Sequence, residues 1–208
     1  TSILIAAFFV FKIAKKFGNS EAVTASLLFL FSYSVMFNSV FSFGIELAAM
    51  FLVTGAYLLF NKNNYLLSGL FFGLAGVTRL LSLIPIFLIL ISALFCNKKG
   101  FLKLSLSFFI VFLAANAGFY ALAGDSYIAA VYKFHLQKTF VGEENFKEYT
   151  DILKLNWILF FSAFLFVFVK AKKPIIPFAL ISLTYLLFLM SLKKIFGFYF
   201  LVILPFLA

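Results

Sequence analysis

Apolar runs follow one another along the 208 residues, separated by short polar breaks and one longer polar loop. In a bilayer no water reaches exposed peptide groups, so such runs must form helices or closed barrel strands. The longest, Tyr65 to Cys96, holds 32 residues, and its uniform apolarity does not fit alternating barrel strands of about ten residues. The expected fold is therefore all-α: a polytopic transmembrane bundle of about 8–9 helices, taking about 20 apolar residues per crossing. The chain is 65% hydrophobic and 12% charged, against about 45–50% and about 25% in ordinary globular domains.

The net charge of +10 would suggest a nucleic-acid partner in a soluble chain. Here the lysines sit at the ends of apolar segments, where they anchor and orient helices, so membrane lipids are the expected partners and nucleic acid is not. Cys96 is the sole cysteine, which excludes an internal disulfide and a cysteine-based metal site. No paired His or Cys ligands, Gly-rich phosphate loop or Ser-His-Asp pattern occurs, so no cofactor is assigned. The first apolar run has no charged segment ahead of it, unlike a signal peptide. The expectation is a single transmembrane domain over 1–208, a fragment of a longer multi-pass chain, with an outer polar loop at 124–156.

The spans are expected at Ser2 to Phe11, Ala22 to about Phe37, Ile45 to Phe60, Tyr65 to Cys96, Leu104 to Leu122, Trp157 to Val169, Pro174 to Leu192 and from Ile195 onward. Tyr65 to Cys96 would extend roughly 48 Å as one helix, against a core of about 30 Å. It is either one long tilted helix or two helices meeting near Arg79. Short cytoplasmic loops hold the excess of Lys and Arg. With a turn at Arg79, ten lysines (12, 15, 16, 62, 98, 99, 103, 170, 172 and 173) share one side, whereas a single helix divides the short-loop lysines six against six. The turn also sends Glu46, Arg79, the 124–156 loop and Lys193/Lys194 to the outer face.

Arg79 is the only arginine among seventeen basic residues, and it interrupts an apolar run. Intramembrane cations usually face a cavity, a carboxylate or a bound anion. Arg79 either snorkels to the headgroups, pairs with Glu46, or grips a phosphate with its planar fork of donors. Gly69, Gly73 and Gly76 share one helical face and favour close helix packing. Lys193 and Lys194 are interface lysines or the source of a positive field for a lipid-linked phosphate, and Tyr199 can donate a hydrogen bond there. Glu46, His135 and Lys138 are candidates for a substrate loop, and the polar loop also offers Glu143 and Glu144. An amphipathic surface helix with Tyr132, Phe134 and Phe140 against lipid is the plainer reading of that loop.

The succession "LLFLFSYSVMFNSVFSFGIELAAMFLVTGAYLLF", "NNYLLSGLFFGLAGVTRLLSLIPIFLIL" and "KKIFGFYFLVILPFLA" resembles the polyprenyl-phosphate-dependent, GT-C type membrane glycosyltransferases. Within them it is most similar to the branch of protein O-mannosyltransferases and aminoarabinose transferases. Gly69 to Pro85 matches a small-residue helix ending in a basic residue before a proline-bearing helix, and Lys193 to Pro205 matches a late basic, tyrosine and proline segment. The resemblance implies transfer of a sugar from a polyprenyl-phosphate donor to an acceptor at the external face of a prokaryotic plasma membrane. The family's catalytic acid is expected before Thr1, so no catalytic residue is assigned. Arg79, Lys193, Lys194 and Tyr199 are expected to hold the donor phosphate. The sugar, the acceptor and any use of a divalent metal stay open.

Two rivals stand beside this reading. A transporter or flippase for a lipid-linked or anionic substrate also uses an intramembrane arginine, and inverted repeats with interrupted helices would favour it. A non-catalytic membrane subunit needs only the glycine face.

Overall fold

The computed structural model describes residues 1–41, 44–133, 142–169 and 176–208. These are 88% helical, and no strand occurs among the described residues. The helices are α1 (Ser2–Ala14), α2 (Asn19–Leu30), α3 (Tyr33–Phe41), α4 (Ile45–Lys62), α5 (Tyr65–Thr78), α6 (Leu83–Cys96), α7 (Lys98–Ala123), α8 (Asp125–Ile128), α9 (Gly142–Leu155), α10 (Trp157–Val169), α11 (Ile176–Met190) and α12 (Leu204–Leu207). Two 3₁₀ turns, Leu80–Ser82 and Gly197–Val202, and a π turn, Ala129–Lys133, complete the described elements.

The polar breaks act as helix stops and starts. Asn63 takes a left-handed conformation, φ 52°, and its N–H closes α4 on the Leu59 carbonyl, the role asparagine shares with glycine at helix ends. Asn64 and Asn97 then cap α5 and α7, their side-chain oxygens accepting from the N–H groups of Leu67 and Gly100, which satisfies amides that have no partner inside a helix. The lysine groups meet at one end of the molecule. Lys16 Nζ donates to the Phe60 carbonyl, and Asn61 Nδ2 donates to the Lys12 carbonyl at 2.9 Å. Asn97 Nδ2 donates to the Tyr65 hydroxyl at 3.1 Å, so the start of α7 returns beside the start of α5.

That return settles the segment left open by length alone. Tyr65 to Cys96 is a hairpin of two helices, with its tip at Arg79 to Ser82. Arg79 leaves the helix in an extended conformation, φ −151° and ψ 118°. Pro85 lies in the first turn of α6, where its missing N–H costs no hydrogen bond. The glycine face then fixes α5 against α7. A Cβ built on Gly69 would stand 2.3 Å from the Leu104 carbonyl oxygen, and one on Gly73 would stand 2.7 Å from Val111 Cβ. The two helices run parallel in contact, and only glycine lets their backbones approach this closely.

Two expected spans and the polar loop are redrawn. The stretch from Ala22 to Phe37 breaks at Phe31–Ser32, where the Ser32 hydroxyl donates to Phe29 O and the Ser34 N–H goes to Asn156 Oδ1. From Ile195 onward there is no spanning helix but a buried 3₁₀ turn followed by the single turn of α12, with Phe200 to Leu204 fully covered. In the 124–156 loop the described amphipathic helix is α9. Tyr132, expected against lipid, instead donates to Asn116 Oδ1 at 2.7 Å.

Among the described residues, two helices, Ile45–Lys62 and Lys98–Ala123, are long and apolar enough to cross a membrane. They differ in cover. The α4 helix is half buried, whereas α7 leaves Leu102, Leu106, Phe109, Ile110 and Leu113 exposed.

Candidate anion site at the arginine end

The tip of the α5–α6 hairpin carries Arg79 to the end opposite the main lysine cluster, and its side chain is partly exposed. Its guanidinium carbon lies 6.0 Å from the centre of the Phe198 ring, within the range at which a ring quadrupole attracts a cation. It also lies close enough to the Tyr199 hydroxyl to act on it electrostatically. Phe198 stacks on Phe196 with ring centres 5.4 Å apart and planes 8° from parallel. Lys194 Nζ sits 5.7 Å from the Phe196 ring centre. Two cations thus flank one aromatic stack, and Tyr199 stands edge-on to both rings.

The 3₁₀ turn that presents Phe198 and Tyr199 is held from below and above. The buried run from Phe200 to Leu204 packs on α4, whose first turn carries Glu46 with its Oε2 atom buried. From above, Asn145 of α9 donates to the carbonyls of Leu192 and Lys193, at 2.9 and 3.0 Å, and accepts from the Ile195 N–H at 2.7 Å. One side chain therefore closes the turn that carries Lys193 and Lys194. Asn156, at the other end of α9, binds both the N–H and the hydroxyl of Ser34. Sequence reading passed over both asparagines. Their only signal was a side chain rich in donors and acceptors next to an apolar run, where burial demands partners.

Of the candidate donor-binding residues, the structure brings Arg79, Lys194 and Tyr199 around one aromatic stack. Lys193 is exposed beside them. Lys194 Nζ also lies 3.8 Å from Glu144 Oε2 in an exposed pair, which contributes little to stability. His135 and Lys138 lie outside the described residues. Glu46 belongs to the same end of the fold through α4, which contacts both the hairpin tip and the 3₁₀ turn. Tyr149 of α9 packs edge-on to Phe200 and donates to the Leu186 carbonyl, and burial pushes its hydroxyl pKa above the ordinary tyrosine value.

Two clefts lie elsewhere, one of about 760 Å³ among α1, α2, α10, α11 and α12, and one of about 330 Å³ at the α2–α3 break; Arg79 lines neither. No group of three metal-ligating side chains forms among the described residues. No family model, curated protein or solved structure matches the chain.

Proposed function

We propose that the chain is part of a multi-pass membrane glycosyltransferase that takes its sugar from a polyprenyl-phosphate donor and works at the external face of a prokaryotic plasma membrane. What supports the reading is the place of Arg79 at the tip of the α5–α6 hairpin, beside the middle of α7. Gly76 of α5 stands level with Phe112 of α7. The apolar stretch of α7 from Leu104 to Leu122 rises about 28 Å, close to the hydrocarbon thickness of about 30 Å. On this register Arg79 lies roughly 16 Å from the lysine-side edge, near mid-depth.

A guanidinium facing lipid at that depth costs at least about 2.5–3.5 kcal/mol. The break itself is held within the chain, because the Arg79 N–H donates to the Ala75 carbonyl and the Arg79 carbonyl accepts from the Ser82 N–H. A guanidinium at such a break suits a recess that admits an anion. In it Arg79 offers a planar fork to a phosphate, Tyr199 a hydroxyl, and Lys194 a second positive charge. Breaking the sugar–phosphate bond leaves charge on the phosphate, and fixed cations in a dry recess stabilise that charge as it develops. The acceptor is activated by a carboxylate acting as a base.

The test measures sugar transfer from a polyprenyl-phosphate donor by the full-length protein in vesicles. Arg79→Ala lowers turnover by about 10²–10³-fold, the usual cost of removing a charge-stabilising donor, and Arg79→Lys restores only part of it. Normal turnover in both variants removes Arg79 from the mechanism. A carrier for a lipid-linked anion is the second reading, because the same break at half depth suits a midplane substrate site. Movement of a labelled donor across the vesicle without sugar transfer decides for it.

A further inference from the structure

Lys194 meets opposition within the arginine end. Its Nζ lies 3.8 Å from Glu144 Oε2. One turn further along α9, Glu148 reaches the same segment: a Cβ built on Gly197 would stand 2.8 Å from Glu148 Oε1. Gly197 separates Phe196 from Phe198 in sequence, so a second carboxylate lies against the backbone that carries the aromatic stack. Residues four apart share a helix face, and here that face looks onto residues 194–197. Its register is held by Asn145, next in sequence to Glu144, through the clasp on Leu192, Lys193 and Ile195. The helix that carries both carboxylates is thus fixed against the turn that carries Lys194.

The charge of the ligand gives this arrangement a use. In a polyprenyl-phosphate sugar donor the phosphate is a diester with a single negative charge. On transfer, the bond from the sugar's anomeric carbon to the phosphate oxygen breaks and its electron pair stays on the phosphate. The acceptor oxygen or nitrogen bonds to that carbon, and its proton passes to the base. The carrier is left as a monoester, whose charge is about −1.5 to −2 at neutral pH. We propose that Glu144 is a specificity-determining residue: by offsetting Lys194, it matches the site to the singly charged diester donor and weakens its hold on the more highly charged monoester product. Coulomb energy is proportional to the ligand's charge, so a fixed carboxylate opposes a doubly charged product twice as strongly as the donor. Glu148 adds to the same side of the balance. The inference rests on the reading of Arg79 and Lys194 as phosphate ligands. Because the side chains of Lys194 and Glu144 are 43% and 70% exposed, the effect is of the modest size measured for exposed charge pairs.

The test titrates the full-length protein, in a mild detergent at about pH 8, with farnesyl phosphate and with its methyl diester, and reads Kd by calorimetry. At that pH the two ligands share one tail and differ by about one charge. Glu144→Gln is expected to tighten the monoester by about 5-fold, the upper range for an exposed charge pair, and the diester by only about 2-fold, as its halved charge requires. The gap between variant and wild type narrows at high salt, which screens exposed charges. Glu143→Gln, which removes a charge from the same turn of α9, shifts the ratio less. An equal gain for both ligands in Glu144→Gln, or no gain for either, overturns the proposal, and so does an equal shift of the ratio by Glu143→Gln. Arg79→Ala separates the underlying reading. If that variant binds both ligands as the wild type does, or if the wild type binds neither, the phosphate site itself fails and the inference falls with it; if Arg79→Ala weakens both while Glu144→Gln leaves their ratio unchanged, only the role of Glu144 is lost.

Discussion

Replacing Gly69 by alanine isolates the contact that sets the hairpin against α7. The new methyl would stand 2.3 Å from the Leu104 carbonyl oxygen, 2.8 Å from Ser107 Cβ and 3.0 Å from the Phe108 nitrogen. A carbon–oxygen contact settles at about 3.3–3.6 Å, so the helices must part by roughly 1 Å at this level. A gap of that size forfeits about a quarter to a half of each dispersion contact across it, and such overpacking costs about 1–3 kcal/mol. The substitution also recovers about 1 kcal/mol of helix propensity, which would mask part of the loss. Gly118→Ala in α7 supplies the control, since a Cβ there meets nothing within 4 Å. Both variants gain the same propensity, and only one collides. Their unfolding free energies in a denaturant titration of the full chain should therefore differ by about 1–3 kcal/mol, Gly69→Ala being the less stable. Gly69→Ala should also lower turnover, because displacing a catalytic group by about 1 Å can cost about 10²-fold. Equal stability of the two alanine variants would refute the close approach of α5 and α7, and with it the depth assigned to Arg79.

Asn145→Ala leaves the Leu192 and Lys193 carbonyls and the Ile195 N–H without their partner, so it should destabilise the chain by about 1–3 kcal/mol and lower turnover through the freed Lys194, read from the same titration and transfer assay. The raised pKa of Tyr149 means that its neutral form is favoured in the folded state, a contribution fully present below the unfolded value near 10 and lost as pH rises through the folded value. Wild type should accordingly lose more stability than Tyr149→Phe on passing from pH 9 to above about pH 10; parallel pH profiles would exclude a role for that hydroxyl.

The sequence disclosed the helical class and the polar stops because these are local properties. Apolar runs allow little but helix, and "NKNN" supplies both a left-handed cap for α4 and a side-chain cap for α5. Lysine bias favours the turn at Arg79, and the hairpin agrees with that division at Lys12, Lys16, Lys62, Lys98 and Lys99. Other features depend on distant partners. The break at Ser32 exists because Asn156, far along the chain, takes the Ser34 N–H. The buried 3₁₀ turn after Ile195 reads as another apolar span until α4 and α9 are seen to grip it. At the candidate site, Arg79 and Tyr199 were legible as polar groups in apolar surroundings. The aromatic stack between Arg79 and Lys194 was not, because 34 phenylalanines leave no single one distinguished.

The parallel pairing of α5 and α7 has a consequence for biosynthesis. The partner of Gly69 is Leu104, thirty-five residues later, so the glycine face has nothing to grip while α6 is still emerging from the ribosome. At about 5–20 residues per second, that interval lasts roughly two to seven seconds. Throughout it the hairpin tip carries a guanidinium through the insertion machinery without its final neighbours. In a Cys96→Ser background, a nascent chain arrested before Ser107 should leave the tip open to a water-soluble thiol reagent at an introduced Leu80→Cys, and release past Phe112 should close it.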